Sequence, residues 1–104
     1  MAEPVSHEKL IDAVQYQDGS IVSKQLLKKP NGNITLFAFD KDESLTEHTS
    51  PFEAVVNIID GEMEIKIDGK PYSVQTGDYI IMPPNVPHGL KAATKCKMLL
   101  TMIK

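Results

Sequence analysis

The chain has 104 residues, 41% of them hydrophobic, and a formal net charge of −3. That length sets one domain with a core of its own, burying roughly two-thirds of the unfolded chain's surface; the composition excludes a disordered chain, and a small acidic charge with lysines interspersed excludes the basic stripe of a nucleic-acid binder. The one cysteine, Cys96, has no internal disulfide partner, the first ten residues lack a basic-then-apolar leader, and no apolar run is long enough to span a bilayer, so the expectation is a cytoplasmic protein without membrane contact.

Residues 1–20 read as an N-terminal arm and 21–104 as the body of the domain. Residues 1–7 are expected to be loose. Ser6 is placed to cap a short helix through Val14, because Leu10, Ile11 and Val14 recur at helical spacing. His7 falls in that cap region as a surface residue. Gln17 to Ser20 is a turn, and Ile21 to Lys28 a strand. Pro30-Asn31-Gly32-Asn33 follows, and Asn-Gly is a strong hairpin signal because both central residues of its turn need φ > 0. Ile34 to Phe39 returns, and Asp40 to Glu47 is an acidic loop leading to His48. Phe52 to Ile59 is a central strand. Glu62 to Ile67 alternates Met63, Ile65 and Ile67 against Glu62, Glu64 and Lys66, a strand with one wet face. Asp68 to Lys70 turns it, Pro71 to Val74 returns, and Gln75 to Asp78 turns again. Tyr79 to Met82, His88 to Ala92 and Cys96 to Ile103 complete the set. Eight or nine short strands at near-regular spacing predict an all-β antiparallel sandwich or barrel.

Two stretches stand out. His48 to Gly61 and Gly77 to His88 each set a histidine beside strand formers, with prolines only at strand edges. Together they resemble the two motifs of the cupin superfamily. The first motif is Gly, five residues, His-x-His, three or four residues, Glu, six residues, Gly. The second is Gly, five residues, Pro-x-Gly, two residues, His, three residues, Asn. His48 and Gly61 match the first; Ser50 stands at its second histidine, Ala54 at its glutamate and Asp42 at its first glycine. Gly77, Pro83 and His88 match the second, with Asn85 at its glycine and Ala92 at its asparagine. The resemblance implies a double-stranded β-helix, a jelly-roll barrel, with a short N-terminal helix in front. It also implies that a metal, where cupins hold one, sits among three histidines and a glutamate. This chain keeps two of those four, His48 and His88. Fe, Ni, Cu and Zn are the divalent ions such a pair suits.

With Ala54 at the inward glutamate position, strand parity turns Phe52, Val56 and Ile58 inward and Glu53, Val55, Asn57 and Ile59 outward. Lys95 and Lys97 should face water, which sends Cys96, Met98, Leu100 and Met102 inward. The expected pocket is apolar and sulfur-rich, lined by Ser50, Phe52, Ala54, Val56, Met98 and Met102, with His48 and His88 at one end. Such a cavity fits a small-molecule ligand. Two functions follow: a non-catalytic or sensory binding protein with a degenerate metal site, or a metal-dependent enzyme, a dioxygenase or isomerase, with an altered ligand set. Cys96, Met98 or Met102 as a soft ligand would favour copper. Ser50 lacks an acidic partner at a hydrolase spacing. Val55 and Ile59 leave an apolar patch on the outer sheet face, which predicts a homodimer.

Overall fold

The structure, a computed structural model, describes residues 4–104. The described strands are β1 (Ile21–Lys29), β2 (Gly32–Phe39), β3 (Ser44–His48), β4 (Glu53–Asp60), β5 (Glu62–Ile67), β6 (Lys70–Gln75), β7 (Tyr79–Met82), β8 (His88–Ala92) and β9 (Cys96–Ile103). They form two antiparallel sheets, ordered β1-β2-β9-β4-β7 and β3-β8-β5-β6. The fold is all-β and consistent with a jelly roll, but the ladders stay in two sheets and do not run on into one closed cylinder.

The alternation in sequence sets the burial. In β5, Met63 and Ile65 are fully buried while Glu64 and Lys66 face water. β9 lies between β2 and β4, and its outer face is covered only towards its start, where the arm overlies Lys97, while Ile103 at its end is exposed. Cys96 and Met98 are buried, and Leu100 and Met102 pack on the core, as their parity predicts. The core lies between the sheets. Phe39, Val56, Ile58 and Met98 from one meet Met63, Ile65, Leu90 and Ala92 from the other. Each of these Val, Ile, Leu, Met and Phe side chains contributes about 1.5–3 kcal/mol by leaving water, and Ala92 less.

Four expectations need correction. The helix through Val14 is only a 3-10 turn, Leu10–Asp12, with no side-chain cap at its start. One turn's worth of apolar spacing does not offset the cost of nucleating a helix. The arm instead packs on the outer face of the five-stranded sheet, where Val14 joins Leu36 and Ala38 in a second buried cluster flanked by Tyr16, Ile59 and Leu99. The loose start expected at residues 1–7 lies, for residues 1–3, outside the described residues. Secondly, Lys97 does not face water. It is buried beneath the arm, donates a hydrogen bond to the Ile11 carbonyl oxygen and sits 4.9 Å from the Tyr16 ring centre. Tyr16 in turn donates its hydroxyl proton to Asp60 at 2.6 Å, and burial, together with that carboxylate, raises its pKa above the usual tyrosine value.

Thirdly, part of the acidic loop is a strand, β3, paired with β8. Its polar sequence and exposed side chains hid it. Lastly, the first hairpin turns on Pro30 and Asn31, with Lys29 opposite Gly32, and neither Asn31 nor Gly32 has positive φ. Glycine is needed at 32 for room: a Cβ there would lie 2.6 Å from the Met102 carbonyl oxygen of β9.

Candidate functional site

His48 and His88 are direct partners across β3 and β8. The register slips between Leu45 and His48, and that irregularity sets the end of β3 level with His88. The ring centres are 4.5 Å apart, edge to face at 65°. Each ring is held the same way. His48 Nδ1–H donates to the Thr46 carbonyl oxygen at 2.8 Å, and His88 Nδ1–H to the Val86 carbonyl oxygen at 3.1 Å. A carbonyl only accepts, so the hydrogen sits on Nδ1, and Nε2 is the ring nitrogen left to act as a lone-pair donor in the neutral tautomer. Among the described residues neither Nε2 has a protein partner. His48 is exposed; His88 is 5% exposed. Burial holds His88 below the usual imidazole pKa; the Val86 carbonyl opposes this shift, and His48 adds to it.

Both rings open on one cavity of about 50 Å³ between the sheets. Ser50 and Ala54 are on its wall, with Met82, Met98 and Met102. Leu45, Leu90 and Leu100 close it. Ala54 is the pivot of the far wall: its register partners are Met82 on β7 and Met102 on β9. Of the pocket residues expected from sequence, Ser50, Ala54, Met98 and Met102 are on this wall. Phe52 and Val56 are not. Phe52 precedes β4, in a bend where its backbone N–H donates to Ser50 Oγ at 3.2 Å, so strand parity does not reach it. Its ring lies 5.6 Å from Lys104 Nζ instead. Val56 does point inward, into the core cluster and off the cavity wall. Cys96 is also off the wall: it is fully buried, and burial pushes its thiol up to about 12. Met82 was missed by the sequence reading, because Tyr79 to Met82 is apolar throughout and gives no parity signal; the structure exposes Ile81 and buries Met82.

The backbone of both motifs is intact at its tight points. Gly61 and Gly77 have φ of 90° and 91°, and Asp42 and Asn85, at the other two glycine positions, have φ of 71° and 63°. Asn and Asp are among the few non-glycine residues that enter this region readily.

The donor set does not suit a divalent ion held by imidazoles and a carboxylate. Among the described residues, no three His, Cys, Asp or Glu side chains come together. What remains is two imidazoles against an apolar, thioether-bearing wall.

The sequence pattern of the cupin domain family matches residues 35–103. A conserved protein of unknown function from Streptococcus pyogenes superposes with TM-score 0.92 at 34% identity, over 99% of this chain and 90% of that one. A cupin 2 conserved barrel domain protein from Leptotrichia buccalis gives 0.88 at 44% identity, over 90% of this chain and 46% of its own length. An RmlC-like cupin from Desulfovibrio desulfuricans gives 0.83 at 26%, over 96% and 97%. No curated protein matches the chain.

Proposed function

Because the chain belongs to the cupins, which share a fold and not a chemistry, we propose that it is a binding protein whose occupant is held at His48 and His88 without turnover. The observation that carries this reading is the pair of partnerless Nε2 atoms at one small cavity, without a carboxylate beside them. Oxygenase chemistry asks for a carboxylate ligand beside the imidazoles, which Ser50 and Ala54 do not supply. The cavity's size points the same way. About 50 Å³ admits an ion or a few atoms, against the several hundred Å³ of a pocket that encloses a substrate. A larger ligand enters only by its tip, past exposed His48.

Thermal shift tests the reading, with small carboxylic acids, phosphate, sugar phosphates and metal ions as probes on the wild type and His88→Ala. A probe that raises the wild-type midpoint and leaves the variant unmoved supports it. Equal shifts in both, or conversion of any probe to product, refutes it.

The protein acts as a homodimer through the outer face of the five-stranded sheet. Leu27, Ile34, Thr101, Val55 and Ile81 stand in one register row across all five strands. Ile81 in this row and Ile103 in the next are 47% and 58% exposed. The next row runs from Lys29 through Gly32 and Ile103 to Glu53, so a two-fold partner laid on this face in reverse sets Lys29 opposite Glu53. Ile59, the other residue expected in the patch, is covered by the arm. Sedimentation at micromolar concentration should give a dimer that Ile81→Lys splits; a wild-type monomer overturns the assembly.

A further inference from the structure

The position that would carry a carboxylate is occupied by Ala54, and its partners on both neighbouring strands are methionines, Met82 and Met102. Their side chains and that of Met98 share the cavity wall with the two histidines. Where a hard oxygen donor would stand, the wall therefore offers thioether sulfur from either side. Thioethers are soft, weakly basic ligands that favour copper(I) over Mg, Mn, Zn or iron(II), whose sites draw on carboxylate, water or thiolate. Charge selects in the same direction. Every donor on this wall is neutral, so the ion's charge is met by no counter-charge. The cost of moving an ion out of water rises with the square of its charge, so a monovalent ion meets about a quarter of the penalty of a divalent one. Two Nε2 lone pairs fixed by their Nδ1–H bonds supply the remaining ligands without any proton having to leave.

We propose that the cavity binds one copper(I) ion through Nε2 of His48 and His88 and the thioether sulfurs of Met82 and Met102. The proposal rests on the reading of the cavity as a binding site and names its occupant. No redox step is involved; copper enters and leaves as copper(I).

The test is an anaerobic titration of the purified protein with copper(I) in competition with bicinchoninate, with zinc(II) titrated separately. One equivalent of copper(I) should be taken from the chelator. Met82→Leu with Met102→Leu keeps core volume and apolarity, a swap that cores tolerate. It should weaken copper(I) binding by roughly 100-fold or more, beyond what loss of an outer-shell partner costs, and leave zinc(II) affinity unchanged. A second measurement needs no variant. Silver(I), a redox-inert analogue, should shift the methionine methyl signals of Met82 and Met102 in the wild type and leave that of Met63, buried away from the cavity, in place. Failure to compete for copper(I), binding unaffected by the double methionine variant, or unmoved Met82 and Met102 methyls each overturns the proposal. If copper(I) fails while another probe stabilises the wild type and not His88→Ala, the occupant is wrong and the binding reading stands. If copper(I) binds equally to His48→Ala/His88→Ala, both fall.

Discussion

Ser50→His combined with Ala54→Glu rebuilds the four-ligand set, and its effect can be worked out beforehand. Ala54 is 3% exposed and its methyl faces an apolar wall. Without metal, a carboxyl introduced there is held neutral, because a fully buried Glu reaches a pKa of about 8–9. Keeping it neutral at pH 7 costs about 1.36 kcal/mol for each of the roughly 2.7 pH units above its ordinary 4.3, or about 3.7 kcal/mol. That is an upper figure, since the mouth at His48 admits water. At about 4–8 °C per kcal/mol for a domain near this size, Tm falls by about 15–30 °C. A raised carboxyl pKa gives a loss that is absent below about pH 4.3 and grows as pH rises towards the folded value, so the deficit at pH 5 should be far smaller than at pH 7. Zinc(II) at about 1,000 times its Kd then returns about 4.1 kcal/mol at pH 7, enough to restore the wild-type midpoint. The assay is thermal denaturation of the double variant at both pH values, with EDTA and with zinc(II). A metal-free variant as stable as the wild type at pH 7 would mean that position 54 does not face the cavity. A destabilised variant that zinc(II) does not rescue would mean that the four positions do not converge.

Three further outcomes follow from the geometry. Since burial favours neutral His88, its contribution to stability is complete above the unfolded imidazole's pKa of about 6.5 and is lost as pH falls towards the lower folded value; urea midpoints of ion-free protein should drop between pH 7.5 and 5.5, and His88→Gln should flatten that slope. The Cys96 thiol, buried and pushed to about 12, should resist Ellman's reagent at pH 8 and react on unfolding in urea; fast labelling of native protein would contradict its burial. Gly61→Ala should cost about 3 kcal/mol or more, because a Cβ there combines φ of 90° with collision against the Lys95 carbonyl oxygen, whereas Gly77→Ala, at φ 91° with nothing nearby, should cost only the backbone strain of about 1–3 kcal/mol; equal losses in chemical denaturation would remove the collision argument.

Local sequence patterns give β5, β7, β8 and β9 their bounds, because alternation, glycine turns and proline edges all act within a few residues. They also place His48, Ala54, Met98 and Met102 on the inward side of their strands, and Ser50, in the connection between β3 and β4, reaches the same cavity. What they do not reach is decided by distant chain. β3 is a polar edge strand whose hydrogen bonds come from β8, so no local hydrophobic signal marks it. Lys97 is buried because the arm, 86 residues earlier, crosses above it. Gly32 answers to a carbonyl on β9 and not to its own turn. Phe52 fails for the opposite reason: parity was extended one residue past the strand that enforces it. Met82 belongs to the site through its register with Ala54, which only the pairing of β4 with β7 establishes.

The frame of the site and its donors are separable. The four tight backbone points of the motifs keep positive φ, two through glycine and two through Asp42 and Asn85, and the slip in β3 sets His48 level with His88 on β8. Ser50 and Ala54 contribute nothing to that backbone that other side chains would not. Ser50 accepts one local N–H bond, and Ala54 fills inward space between two methionines. Ligand preference in this chain is therefore set by side-chain atoms alone. With Ala54 at the glutamate position, the proposed donors are the thioethers of its register partners Met82 and Met102, and exchanging donors there leaves the strand pairing as it is. The same independence means that the double variant and the methionine-to-leucine pair should move metal preference in opposite directions on an unchanged fold.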